Sequence, residues 1–154
     1  MKRGSRLSVA LHVLVHLAES RGVPATSEQL AACVRTNPVV IRRAMAGLRE
    51  AGLVRSARGH GGGWTLARDA ASVTLRDVYA ALGEEPLVAI GAAVENPDCL
   101  IERAVAGALD DVRREAEARL RARLAEITLA DVADEIGRQA PHERSEENNG
   151  SFAL

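Results

Sequence analysis

Two adjacent arginines, Arg42 and Arg43, close the run Thr36-Asn37-Pro38-Val39-Val40-Ile41-Arg42-Arg43, and a third, Arg58, opens the run Arg58-Gly59-His60-Gly61-Gly62-Gly63. These residue types suit recognition rather than bond making. A guanidinium presents a planar fork of donors that fits phosphate oxygens or the O6/N7 edge of guanine. An asparagine amide can meet the N6/N7 edge of adenine, and a valine can touch a thymine methyl. Glycines let a backbone come close to another chain. The residues expected at a DNA surface are therefore Thr36, Asn37, Val39, Val40, Arg42 and Arg43 from the first run and Arg58, His60 and Gly61 from the second. Ser27 and Gln29, at the start of a preceding helix, are expected to contact phosphates through side chain and backbone N–H.

The elements that position these residues follow from apolar spacing. A first helix is expected from about Ser5 to Ser20, with Leu7, Leu11, Leu14 and Leu17 or Ala18 on one face, ended by Gly22 and Pro24. Thr26 or Ser27 can cap a second helix in which Leu30 and Val34 point inward, with Cys33 between them in the core. Asn37 or Thr36 can cap a third, from Val39 to Ala51, because proline is tolerated in a first turn where its missing N–H costs nothing. Val40 or Ile41, Ala44, Met45 and Leu48 are spaced for burial there, and Gly52 follows as the stop. Leu53–Ser56 and Trp64–Leu66 alternate as short strands around the glycine loop, which makes a β-hairpin. Thr74 caps a fourth helix that ends at Gly83, and Glu84-Glu85-Pro86 breaks the pattern.

Charge supports the same division. The 154 residues carry a formal net charge of −1, yet residues 1–68 hold eleven Lys and Arg against three Asp and Glu, while residues 69–154 hold nine against eighteen. A basic module on an acidic body is the electrostatic footprint of phosphate binding that a whole-chain charge conceals. Nineteen of the twenty cations are Arg, which favours bidentate recognition, although a GC-rich genome produces the same bias.

A stripe follows in the acidic part. From Cys99 to about Glu126, Ile101, Val105, Leu109, Val112, Ala116, Leu120 and Leu124 recur every three or four residues, and Ile127 continues the spacing. A helix of that length exceeds what a small core needs, so these seven residues are expected to pair two subunits. Thr128 caps a short last helix, Leu129 to Gly137. The expected organisation is a winged helix-turn-helix DNA-binding domain over 1–83, then a connector, long dimerisation helix and final helix over 84–139, and a polar, disordered tail over 140–154. The fold class is mainly α with a small β-hairpin wing.

Other chemistry finds little support. No nucleophile–base pair, metal triad or phosphate loop is apparent, and Gly59–Gly63 lacks the lysine of a nucleotide-binding loop, so no enzyme is expected. His12 and His16 are four residues apart but have no third ligand nearby. No apolar run approaches the roughly 20 residues of a membrane span, and the first helix runs into charged residues rather than a cleavage site. A cytoplasmic protein with no membrane partner is expected, its two cysteines reduced.

The runs S-E-Q-L-A, N-P-V-V-I-R-R and L-R-E-A-G-L-V, and above all R-G-H-G-G-G-W-T-L-A-R followed by V-T-L-R-D-V-Y-A-A-L, resemble the Rrf2 family of bacterial transcriptional regulators. The likeness extends over about residues 1–130 and includes Asn96, Pro97 and Cys99 before the long helix. It implies a homodimer paired through that helix, a recognition helix in the major groove, a wing in the minor groove, and repression by occupying a promoter. Iron-sensing members hold an iron–sulfur cluster on three closely spaced cysteines after the fourth helix. Here that segment supplies only Cys99, so no cofactor is expected. Cys99 is then a candidate one-thiol sensor at a helix start, although Asp98 and Glu102 oppose a thiolate. The signal is left open among a small molecule, a redox change and a partner protein. The competing reading is a winged-helix protein-interaction adaptor without DNA specificity, which Arg42, Arg43 and Arg58 disfavour.

Overall fold

The computed structural model describes residues 3–83, 86–91 and 94–139. The expected break at Glu84-Glu85 and the expected disorder of 140–154 lie outside them. Helix α1 (Arg3–Glu19) leads into α2 (Ser27–Cys33) and α3 (Pro38–Glu50), then strands β1 (Val54–Ala57) and β2 (Gly63–Leu66), a 3-10 turn (Ala70–Ser72), α4 (Leu75–Ala81), α5 (Leu100–Ala125) and α6 (Leu129–Gln139). The chain is mainly helical with one two-stranded antiparallel sheet, in which Val54 pairs with Leu66 and Ala57 with Gly63.

Side-chain caps start the short helices. The Thr26 hydroxyl accepts from Gln29 N–H at 3.2 Å while Gln29 Oε1 accepts from Thr26 N–H at 2.8 Å, a reciprocal pair that satisfies two donors. Thr74 with Asp77, and Thr128 with Asp131, repeat the device at α4 and α6. The Asp131 carboxyl is held below its usual range, first by the Thr128 backbone N–H and then by the Thr128 hydroxyl.

The core gathers Ala10, Val13, Leu14 and Leu17 of α1, Leu30 and Ala31 of α2, Ile41, Met45 and Leu48 of α3, and Leu53, Val54, Val73 and Val78. Leu7 and Leu11 are half-buried along its edge, so the inner line of α1 is rotated slightly from the one that leucine spacing suggests. Cys33 is exposed, contrary to the core position expected for it. Ser27, Leu30, Ala31 and Val34 form the inner face of α2, and at 3.6 residues per turn Cys33 lies roughly 115° off that face.

The last helix belongs to this core. The sequence groups it with the dimerisation helix, but α6 packs on α1, with Leu129 fully buried and Val132 and Ala133 against the core. Thr74 and Thr128 form a β-bridge, Leu75 N–H donates to Ile127 C=O at 2.9 Å, and Leu129 N–H donates to Val73 C=O at 2.9 Å. The chain thus leaves the winged domain at Gly83, runs out along α5 and returns.

Helix α5 is different in kind. Its 26 residues extend about 39 Å at 1.5 Å per residue, and its one buried residue is Glu117, paired with Arg113 at 3.2 Å. Leu100, Ile101, Val105, Val112 and Leu120 are exposed, while Leu109, Ala116 and Leu124 are half-buried on the flank towards Glu117. No helix among the described residues is long and apolar enough to cross a membrane.

Candidate nucleic-acid interface

Helix α3 is aimed by its own first residues. Asn37 is the N-cap: its Oδ1 accepts from Val39 N–H at 2.8 Å, and Pro38 occupies the first turn. The amide expected to read adenine is thus engaged at the helix start. Arg35 in the preceding turn adopts a left-handed φ of 51°, and Thr36 N–H donates to Ala31 C=O at 2.9 Å. That tight turn sets α3 against α2. With Ile41, Met45 and Leu48 fixed inward, Val39, Arg42 and Arg43 fall on the outer half of α3.

Adjacent residues on a helix are about 100° apart, so Arg42 and Arg43 fan to opposite flanks. Arg42 turns towards α2 and forms an exposed ion pair with Glu28. The Glu28 carboxyl is held below its ordinary range, first by its own backbone N–H and then by the Arg42 guanidinium. Arg43 turns towards α1, where it lines a cavity together with Arg6. Because exposed pairs contribute little to folding, Glu28→Gln is expected to leave the melting temperature unchanged. It removes a negative charge beside an arginine of the outer face, so DNA binding at low salt should tighten by about threefold. Fluorescence-anisotropy titration of both proteins checks this, and weaker binding by the variant would contradict it.

The wing is tied to the start of α2. Ala25 and Trp64 exchange two backbone bonds, 3.1 and 2.8 Å, which adds an isolated bridge to the edge of β2. The Trp64 indole N–H donates to the Ser27 hydroxyl at 3.0 Å. Ser27 is buried, so the expected phosphate contact by its side chain is corrected: the hydroxyl holds the wing instead. Gln29 remains exposed but its carbonyl oxygen is used in the cap. Ser27→Ala leaves the half-buried indole donor without its partner, a cost of about 1–3 kcal/mol. Trp64 is the only tryptophan, so its emission should shift to the red in this variant, and Ser27→Thr should restore it.

The hairpin glycines divide into two kinds. A Cβ on Gly62 would stand 2.4 Å from Ala57 O, and one on Gly63 would stand 2.7 Å from Ala25 O. Those two glycines let the wing pack on itself and on residue 25. Gly59 and Gly61 have positive φ with open space around them. Arg58, His60 and Gly61 are exposed at the tip, on the loop where the sequence places them.

The structure therefore presents the exposed outer half of α3, an exposed loop carrying Arg58 and His60, and an anchored wing. That is the architecture of a winged helix-turn-helix DNA-binding protein. Residues 3–135 match the model of the Rrf2 family, described as an iron-dependent transcriptional regulator. The chain is 32% identical over 132 residues to YwnA of Bacillus subtilis (strain 168), whose name describes an HTH-type transcriptional regulator, covering 86% of this chain and 97% of that protein. The chain belongs to the Rrf2 family and is a transcriptional regulator, not an enzyme. Two solved structures share its fold, each at 22% identity and TM-score 0.65. T. potens IscR covers 90% of each chain, and the oxidized form of Staphylococcus aureus CymR covers 87% of this chain and 97% of its own.

The iron in the family's description meets an unsuitable donor set here. Cys99 is half-buried at the N-cap of α5, its N–H donating to Asn96 C=O at 3.0 Å, and the only other cysteine, Cys33, lies at the end of α2. Among the described residues no three His, Cys, Asp or Glu side chains converge in a way that can hold a metal ion. His12 and His16 stack with ring centroids 5.0 Å apart on the exposed side of α1.

Proposed function

We propose that this chain is a cytoplasmic, homodimeric, sequence-specific repressor that occupies an imperfect palindrome and carries no cofactor. The exposed apolar line along α5 carries the reading: Ile101, Val105 and Val112 are 76%, 50% and 54% exposed on a helix far longer than its own domain needs. Burying that line against a second copy removes apolar surface from water at about 25 cal/mol per Å2 and places two reading heads on one duplex.

In the dimer each α3 enters a major groove, with half-sites about one helical turn apart. Val39 and Val40 meet base edges, Arg42 and Arg43 reach guanine or phosphate, and Thr36 contacts the backbone. Gln29 adds a phosphate contact through its amide N–H groups. Arg58, His60 and Gly61 follow the adjacent minor groove, where a narrow width concentrates negative potential. With one thiol before α5, the signal reaches this chain by a route other than an iron–sulfur cluster.

Methylation interference tests the groove assignment. Methyl groups at guanine N7 in both half-sites should block binding through the major groove, and methyl groups at adenine N3 outside them should block the wing. Interference confined to the minor groove would contradict it.

A further inference from the structure

Helices α2, α3 and α4 stop in the same left-handed way and differ in the residue that makes the turn. After Ala51, the cap of α3, and Leu82, the cap of α4, that residue is a glycine, Gly52 at φ 70° and Gly83 at φ 93°. After Val34, the cap of α2, it is Arg35 at φ 51°. Arg35 N–H donates to Ala32 C=O at 3.3 Å and Thr36 N–H donates to Ala31 C=O at 2.9 Å, the paired bonds of a Schellman stop. Left-handed backbone is free to glycine and costly to an arginine, so α2 ends on a residue that its own fold disfavours. The Arg35 side chain is exposed, and it stands two residues before Asn37, the cap of α3. We infer that Arg35 contacts a phosphate of the DNA backbone at the rim of the groove that α3 enters.

A recognition helix enters the major groove with its first residues foremost, so the turn that precedes it stands where the sugar-phosphate strands border the groove. An exposed guanidinium in that turn meets phosphate oxygens with two parallel donors. The carbonyl end of α2 also attracts a cation, but α2 has seven residues and the attraction is weak at an exposed site. Arg35 thus adds affinity that does not depend on sequence, beside the residues of α3 and the wing that face bases and grooves. The inference rests on the DNA-binding role proposed above and adds to it a residue that the fold supplies at a cost.

Arg35→Gly separates the two roles, because glycine suits the backbone and removes the charge. The variant is expected to melt at the parent's temperature or above it, and to bind DNA about tenfold more weakly at fixed salt. The slope of log Kd against log salt should fall by about one for each subunit bound. The loss should be equal on a duplex enriched by the parent chain and on one of scrambled sequence, since phosphates carry no sequence. Arg35→Lys, which keeps the charge, should restore the slope and most of the affinity. Arg21→Gly is the control: Arg21 is left-handed too, at φ 48°, but lies beyond the end of α1 opposite to Arg6 and Val9, which meet α3. It should leave affinity and slope at the parent's values. A salt slope unchanged by Arg35→Gly on both duplexes overturns the inference, and a lower melting temperature in the same variant would assign Arg35 to the end of α2 instead. The scrambled duplex reads this contact even where the parent enriches no sequence, so failure here is distinct from failure of sequence-specific reading.

Discussion

Replacing Val105 and Val112 together by glutamate is expected to leave the chain folded but monomeric, with affinity for its operator lowered by about a hundredfold or more. Both side chains are at least half exposed in the single chain, so charge there costs its own fold little. In a pair of α5 helices the same carboxylates face apolar surface, where an unpaired charge costs several kcal/mol. Losing the pair removes the second half-site from each binding event, and linked engagement is worth about two to four orders of magnitude. Sedimentation velocity and anisotropy on the same preparation read both effects. A variant that remains a dimer, or a monomer that binds as tightly as the parent, would contradict pairing through α5.

Gly63→Ala is expected to lift the wing from the body. Gly63 has a φ of +152°, and a Cβ there would lie 2.7 Å from Ala25 O and 2.8 Å from Ala25 C. Backbone atoms cannot swing aside as a side-chain tip does, so the two hydrogen bonds between Ala25 and Trp64 must lengthen or break. Strain of this sort costs about 1–3 kcal/mol, several degrees of melting temperature in a domain of this size. The Trp64 emission should shift to the red, and DNA affinity should fall about tenfold as the tip carrying Arg58 loses its fixed approach. Gly137→Ala, in α6 with open space around it, is the control and should cost nothing. Unchanged emission and melting temperature in Gly63→Ala would show that the wing does not depend on this close approach.

What could be read from the residues alone was local. Asn37-Pro38 announces the start of α3 because the cap and the proline act within one turn, and Thr26, Thr74 and Thr128 announce three more starts in the same way. The hairpin followed from the glycine loop and the alternation on either side of it, whereas its register, with Ala57 opposite Gly63, did not. The line along α5 was legible as a line, but its division into exposed and half-buried flanks depends on where Glu117 meets the body.

The misses share a cause. Ser27 looked like a phosphate ligand because it stands at a helix start, and only the return of β2 brings the Trp64 indole to it. Cys33 lies between two apolar neighbours in sequence, yet a helix of seven residues has one inner face and Cys33 is off it. Helix α6 carries no mark of its partner; the Thr74–Thr128 bridge, formed across more than fifty residues, decides it. The run of glycines suggests freedom for DNA to approach, but Gly62 and Gly63 serve the wing's own packing. Arg6 stands in the sequence only as a candidate start of the first helix, because it joins Arg43 only when α1 lies beside α3.

Selection from a random DNA library tests the central claim most directly. The chain is expected to enrich an inverted repeat whose half-sites lie about one helical turn apart, bound with a steep salt dependence, and the Val105→Glu/Val112→Glu variant should enrich a single half-site or nothing. Enrichment of no preferred sequence by the parent chain would contradict sequence-specific reading by α3 and favour an adaptor whose partner is another protein.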